Sequence, residues 1–549
     1  MKGELKQMLG ILGYILISVS CAHEKVTSYP VMGLASIDPG VKDSPASYLD
    51  IINPEEIGYY KLAHGGAIRI VRDIAKAHNY SIKPVVYTGG FTIQPEYVPM
   101  VEQKFRAAIA MSPLAKLSGN IDEKVTTIKL NMGEDPEWPF HASTAEVSSG
   151  KGDNKFCFWV RIGEEFLKVI STDSVRKTLT VLRGFDNTLH NVHKKGDIVF
   201  GPVYLGNRKT IGTKGRSQTW PVSGQGIRYA LDPSIPLMHQ FKADFVIEKI
   251  KEGYAGIWWD TFQAFTFNLC DPIGRGGYGT DGNSLLFWDF KNNCPYTHEN
   301  LLEAMKSQMR GVRNITLQAI GINPYLTANS ITGKYEFMKS VIESGKLLDG
   351  YCFENSFISQ IDEAKNVMSD QKKENLKFSF SAKSQTDWEQ KVTDMIHSAR
   401  EGRETYSMIG PAGFISGYFN PSLPNYERLE RFGWSSFLLT VEKSRTTMFG
   451  SPITFTKNKK GEWQIVPLAD YFFYHIGDPL ESKTLKEYQY GEDLVWMRIF
   501  ENGIVIVSRL AEGKQIEVKL PGTYKNPATR GKIEKIIMTG TDGIVLAWK

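Results

Sequence analysis

A chain of 549 residues with 42% hydrophobic and 23% charged residues has the make-up of a soluble globular protein and is too long for one ordinary domain. The formal charge of +5 is small for that length, and no run of Lys or Arg is long enough to track a phosphate backbone, which argues against nucleic acid as a partner. Five cysteines show no CxxC or Cys/His spacing, so no metal is expected, and no GxGxxG opens a helix after the first strand, so no dinucleotide cofactor is expected either.

The chain opens with a polar stretch (MKGELKQ), a short apolar run (MLGILGYILISVS) and Cys21. The run is too short to span a bilayer comfortably and has the length of a signal-peptide core. A cysteine directly behind it, preceded by Ser20, resembles a bacterial lipoprotein signal, although Ser18 stands where an aliphatic residue is usual. Lipidation at Cys21 is expected, with ordinary secretion as the alternative. Both place the mature chain outside the cytoplasm, in the cell envelope, at the surface or secreted, and confine membrane contact to a lipid anchor.

From Tyr29 onward strands alternate with amphipathic helices. YPVMGLASIDP reads as a strand, GGAIRIVRDIAKAHN as a helix, KPVVYTGGF as a second strand and the end of VPMVEQKFRAAIAMSP as a third. This is the βαβ rhythm of a parallel sheet. Residues 117–206 break it. TTIKL, KFCFWVRIG, EEFLKVIS, KTLTVLRGF and GDIVFGPVYLG are short β-like runs between turn residues, which predicts an inserted β-domain loosely similar to small modules of secreted and phage-tail proteins. The alternation resumes at PLMHQFKADFVIEKIKEG. Strand cores are predicted at 31–37, 84–90, 106–111, 255–260, 315–322, 350–355, 405–410 and 446–450. Eight parallel strands with intervening helices predict an α/β fold closed as a (β/α)8 TIM barrel, with an open doubly wound sheet as the alternative. Beyond 480 the pattern turns to strands with NG, EG, PG and DG turns, which predicts a C-terminal antiparallel β-sandwich. The expected division is a signal segment over 1–21, barrel over 29–116 and 207–480, insert over 117–206 and sandwich over 481–549.

In such a barrel the chemistry sits at the C-terminal ends of the strands. Strand four is predicted to end at Asp260, strand five to run into Asn323 and Tyr325, strand six to end in Glu354 and Asn355, and strand one to end at Asp38. Two carboxylates facing one cleft suit glycoside hydrolysis, in which one stabilises or attacks the oxocarbenium-like centre and the other protonates the leaving oxygen. The competing reading makes Asp260 the cap of a helix in TFQAFTF. Apolar neighbours (Trp258, Trp259, Cys352 and Phe353) favour catalysis, because desolvation raises a carboxyl's pKa and an idle buried acid costs stability. Asp271, Asp281 and Asp289 compete from a loop, which places an acid less accurately than a strand. Glu404 begins strand seven and is expected at the opposite face. Tyr87, Tyr325, Tyr406, Trp288 and the strand-four tryptophans are candidates to stack on sugar. Alternation puts Trp258, not Trp259, on the Asp260 side. Asp38, Asn323 and Asn355 are candidates for sugar hydroxyls. Cys270 and Cys294 flank a Gly-rich loop and are either bridged or free.

The motifs GIWWDTF, DGYCFENSF, RFGWSSFLLTVEKS and YHIGDPL…WMRIFENGIVIVSR…VKLPG are similar to bacterial barrel glycoside hydrolases, in particular to hypothetical glycosyl hydrolase family 15, over residues 29–114 and 226–549. The resemblance implies a carbohydrate substrate. Barrels of the α-galactosidase-like clan carry a nucleophile after strand four and an acid/base after strand six. By that analogy Asp260 is the nucleophile, Glu354 the acid/base and the reaction retaining; the clan's strand-six residue is typically Asp, so Glu354 is a departure. The rival reading is a non-catalytic glycan-binding lipoprotein on a degenerate barrel, and a third is a structural surface protein whose β-domains do the binding.

Overall fold

The computed structural model describes residues 32–35, 60–64, 72–73, 76–78, 82–89, 106–131, 146–148, 155–157, 159–173, 175–202, 204–205, 228–229, 231–260, 288–329, 347–353, 356–362, 378–407, 426–442, 446–450, 453–457, 463–467, 471, 474, 476–525 and 531–548. Eight strands close into one parallel barrel: Met32–Ala35, Tyr60–His64, Lys83–Gly89, Gly256–Asp260, Tyr325–Asn329, Gly350–Phe353, Glu404–Ser407 and Thr446–Gly450. They are barrel strands one to eight below.

Strands four to seven are buried on both sides, which is why they read as nearly continuous apolar runs. Val85, Trp258, Cys352 and Tyr406 form one cluster in the lumen. Ile257, Trp259, Leu326, Ala328, Tyr351 and Phe353 alternate with them and face the surrounding helices, packing with Val246, Met309, Val312, Trp388 and Phe432. Two glycines make the lumen possible. A Cβ on Gly256 would lie 1.9 Å from the Tyr325 carbonyl oxygen, and one on Gly350 would lie 2.6 Å from Cε2 of Tyr406, whose ring takes that space.

The eight-strand count stands, but two predicted strands are corrected. Residues 315–322 are not strand five. They end the helix His298–Ile320 and its cap, with Thr297 accepting the Asn300 amide and Gly321 closing the helix at φ 69°. The β-branched NITLQAI looks extended in isolation, yet buried Leu301, Met305, Met309, Val312 and Thr316 keep helical spacing into it. Residues 106–111 are not strand three either. Arg106–Ala108 is a 3₁₀ turn, and Met111–Leu117 belongs to a second sheet. The missed strand is Tyr60–His64, which pairs with strands one and three.

The second sheet is a closed six-stranded barrel, in the order Thr178–Phe185, Thr127–Asn131, Met111–Leu117, Ile198–Pro202, Trp159–Ile162 and Glu165–Asp173. Its interior is aliphatic, with Leu117, Ile128, Val160, Leu167, Leu179 and Val199 buried. One polar knot interrupts it. Arg183 donates to both Glu165 oxygens at 2.7 Å, His193 Nε2 lies 2.8 Å from Oε2, and the Gly184 and Asn191 amides also donate to this carboxylate. Burial works to raise the Glu165 carboxyl, but the hydrogen bonds from Arg183, His193, Asn191 and Gly184 prevail and hold it at about 2.

The small barrel packs against the start of one large-barrel helix. The helix Pro236–Lys251 is joined to strand four by a short turn, so it runs antiparallel to the strands and starts at their C-terminal face. Met238 and Phe241, in its first half, pack with Trp159, Phe166 and Phe200 of the small barrel, whereas Ala243 and Val246 pack on the large barrel. After the large barrel, strands Val495–Phe500, Gly503–Arg509 and Thr541–Ala547 form one antiparallel sheet and Gln515–Lys525 pairs with Lys532–Thr539, around a shared core of Val495, Ile504, Ile506, Val518, Met538 and Leu546. This unit rests on the helix Tyr426–Leu439, where Arg431 pairs with Asp542 at 3.0 Å. Among the described residues no helix is long and apolar enough to cross a membrane.

Candidate active site

The register defines what can meet at the mouth. Asp260 is the last residue of strand four and pairs with Gly89. On strand five the next rung up from the Trp259–Ala328 pair is Asn329, which pairs with Cys352 of strand six, and Cys352 pairs with Tyr406 of strand seven. Asp260, Asn329 and Cys352 thus stand on consecutive strands at one level. Strand six ends at Phe353, so residue 354 follows immediately. The Asp260 side chain, Glu354, Asn355, Asp38 and Cys21 lie outside the described residues, as do Asp271, Asp281 and Cys270.

Behind strand six the backbone is pinned. Ser407 Oγ donates to Ser356 Oγ at 3.1 Å, and Ser356 Oγ donates to the Phe353 carbonyl at 2.7 Å, with both serines fully buried. Strand six is therefore tied to strand seven just past the position of interest. Two rungs below Asp260, Tyr87 is paired with Trp258 and is 39% exposed. Alternation from buried Val85 gives Tyr87 lumen parity, so this tyrosine offers a flat, accessible ring at the mouth. Trp258 is 1% exposed and tilts against Tyr406 with ring centroids 5.5 Å apart. It floors the cleft and has no face left for a sugar.

With Trp258 set aside, three further expected ligand-binding residues are corrected. Asn323 and Tyr325 precede or begin strand five, so they lie at the N-terminal face. Arg313 donates to Asn323 Oδ1 at 2.6 Å and to Asp349 at 2.9 Å, which makes this a loop brace. Tyr325 and Tyr406 both donate to Glu404 Oε2, their hydroxyls touch, and Lys83 pairs with Glu404 Oε1 at 2.9 Å. Lys83, Tyr325 and Glu404 each begin a strand, so this network plugs the barrel's bottom. Tyr406 is fully buried and points its hydroxyl away from the mouth. Burial, with the Glu404 charge beside them, raises both tyrosines well above the ordinary phenol range.

The remaining candidates resolve as structure. Trp288 is buried against Phe200 of the small barrel, with centroids 5.2 Å apart. Asp289 is buried and accepts the Lys291 and Asn292 amides, so it caps a turn. Cys294 makes no bridge to a described cysteine, and Cys270, its expected partner, lies outside the described residues. Among the described residues no group of His, Cys, Asp and Glu is arranged to hold a metal. Sequence reading missed Asn329, Ser356 and Ser407. The true strand five, YLTAN, was hidden because the preceding helix was cut short.

No family model and no curated protein matches the chain. Among solved structures it is similar to the glycoside hydrolase domain of PelA from Pseudomonas aeruginosa, at 10% identity over 76% of this chain and 99% of that one, with a TM-score of 0.33. A variant of that domain gives 9% identity, the same coverages and 0.33. A protein described as a family GH13_31 enzyme gives 11% identity over 95% of this chain and 98% of that one, with a TM-score of 0.41. Likenesses at this level leave the functional assignment to rest on the chain's own geometry.

Proposed function

We propose that this protein is a glycoside hydrolase of the cell envelope or exterior, anchored through Cys21 or secreted, and that Asp260 and Glu354 carry its reaction on a polysaccharide or oligosaccharide. The observation that supports this best is a shared parity. Trp258 and Cys352 belong to the same lumen cluster, and Asp260 and Glu354 each follow two positions later. Residues two apart on a strand face one side, so the same parity, continued one residue past Phe353, would carry both acids toward one cleft.

One strand separates their strands, roughly 10 Å at about 4.8 Å per strand, and Glu354 follows two residues above the level of Asp260, so the backbones would stand roughly 12 Å apart. Two carboxyl groups reaching inward from that spacing can flank a single glycosidic bond, about 5–5.5 Å apart for retention or 6.5–9.5 Å for inversion. In the retaining form, Asp260 attacks the anomeric carbon while Glu354 protonates the departing oxygen. Glu354 then takes a proton from water, which displaces Asp260. Retention follows the analogy with the α-galactosidase-like clan. Tyr87 would support the sugar and Asn329 would sit between the acids as a neutral donor and acceptor. The six-stranded unit, which begins with the strand Met111–Leu117 and so earlier than the expected boundary at 117, and residues 481–549 are proposed to fold as separate β units, the first beside the cleft mouth.

The test is release of reducing ends from a panel of glycans by the purified chain. Cleavage by the wild type that is lost in Asp260→Asn and in Glu354→Gln supports the proposal. Tight glycan binding without cleavage would favour the non-catalytic lipoprotein instead. A separate test of anchoring is Cys21→Ser, which should move the protein from the membrane to the soluble fraction.

A further inference from the structure

A second feature lies beside the end of strand six. The helix Gln385–Arg400 starts at the same C-terminal face, capped by Ser384, which accepts the Asp387 amide at 3.2 Å. A helix start is mildly attractive to anions, but such starts are common. The side chains around this one are not. Lys391 is 8% exposed, and its ammonium makes no hydrogen bond or ion pair with any described residue. It lies 5.7 Å from the ring centre of Phe353, the last residue of strand six. Helical side chains lean toward the N-terminus, which carries this ammonium toward the helix start.

The strongest charge acting on Lys391 is another cation, Lys383; Asp394, Cys352 and Asp387 pull the other way with smaller effect. Burial first, and Lys383 second, push the Lys391 amine down to about 8. Lys383 is itself half-buried, with its amine lowered by burial against the pull of Asp387. Its backbone amide donates to the Phe357 carbonyl at 2.9 Å, so the loop is tied to the chain just beyond strand six. Arg509 adds a third cation. It donates from Nη2 to the Lys383 carbonyl at 2.5 Å, lies over Phe432, and keeps Nε and Nη1 buried with no partner among the described residues; Glu389 is the acid that faces it.

Burying an unpaired ammonium is expensive, and setting another beside it is more so. Asp394, Asp387 and Glu389 offset only part of that cost, and an oxyanion held between the cations would offset more of it. We infer that Lys383 and Lys391, with Arg509 behind them, form an oxyanion subsite beside the cleft, and that the glycan this protein acts on is acidic, bearing a carboxylate or sulfate. This rests on the hydrolase proposal for its substrate half and on the cation cluster alone for its binding half.

The experiment is amine acylation of the full chain at pH 8, with modification of each lysine followed by peptide mass spectrometry. The additions are sodium sulfate, a glucuronic acid oligosaccharide, a neutral glucose oligosaccharide, and sodium chloride at matched ionic strength. Sulfate and the acidic oligosaccharide should slow acylation of Lys391 at least about fivefold, because an opposite charge close by raises an amine by about one unit or more, which at pH 8 takes its unprotonated share from about a half to about a tenth. Chloride and the neutral sugar should not. Lys383→Met, at a half-buried position, should fold and lose most of that protection. Absence of protection by both anions overturns the subsite, and so does full protection in Lys383→Met. Protection by sulfate alone overturns the acidic-glycan assignment. Labelling needs no turnover, so a chain that is protected yet cleaves nothing fails as a hydrolase and not as an anion binder.

Discussion

The two ends of the large barrel use the same kinds of residue to opposite effect. At the bottom, Lys83, Tyr325, Glu404 and Tyr406 satisfy one another, and the ring of Tyr406 fills the space left by Gly350. At the top, Tyr87 keeps an exposed ring two rungs below Asp260, and strand six is pinned by Ser356 and Ser407 just past its end. The carboxylate at the start of strand seven is consumed by the fold, whereas the end of a barrel strand is where a ligand can reach. The difference teaches that a strand-end acid can be interpreted only once the direction and bounds of its strand are known.

The sharpest way to break this contrast is at the top. Glu354→Gln should lower turnover roughly 10²–10⁴-fold, the usual contribution of a positioned acid or base, with melting unchanged. The loss should shrink on substrates with good leaving groups, which need little protonation. Equal losses on good and poor leaving groups would remove Glu354 from the acid role.

At the bottom the effect should be on stability and not on turnover. Glu404→Gln removes the charge that Lys83 pairs with and weakens two phenol bonds, at a cost of about 1–3 kcal/mol in denaturant unfolding. Activity per folded molecule should stay within about twofold, since this network makes no transition-state contact. A large fall in turnover would place substrate at the wrong end of the barrel.

The same network fixes a pH dependence. Tyr325 and Tyr406 are raised in the folded state, so the native protein holds its phenol protons longer than the unfolded chain. The stability they contribute is fully present below about pH 10 and is lost as pH rises above it. Stability in Tyr325→Phe should fall less steeply across that range, which urea melts at pH 9 and above would show. The small barrel works in the other direction. Glu165 is held at about 2, so its contribution is complete above about pH 4.5 and is lost as pH falls toward about 2.

The smallest effect belongs to Tyr87. Tyr87→Ala should weaken kcat/KM by about tenfold, on the order of 1 kcal/mol for one stacking ring, mostly through KM. A rise in melting temperature with no change in KM would make Tyr87 merely an exposed aromatic.

Much of this organisation was legible in the sequence. GIWWD gave strand four to its last residue, because a strand buried on both faces and stopped by an acid has few other readings. The fifth strand was not legible. NITLQAI carries β-branched residues, and only the continued spacing from Leu301 to Thr316 reveals it as helix. That error reversed the placement of Tyr325 and hid Asn329. Tyr60–His64 was missed because five residues of mixed polarity carry little signal even with Gly65 and Gly66 directly behind them, and what makes them a strand is pairing with strands one and three. Glu404 was placed at the bottom face from its position at a strand start, but its tyrosine partners come from strands that only the closed barrel brings together.

The most direct measurement compares Asp260→Asn with Glu404→Gln on a glycan that the wild type cleaves. Reducing-end release and thermal melting are followed on the same preparations. The account predicts that Asp260→Asn melts like the wild type and loses activity roughly 10²–10⁴-fold, whereas Glu404→Gln melts earlier and keeps its activity. Full activity in folded Asp260→Asn would contradict it.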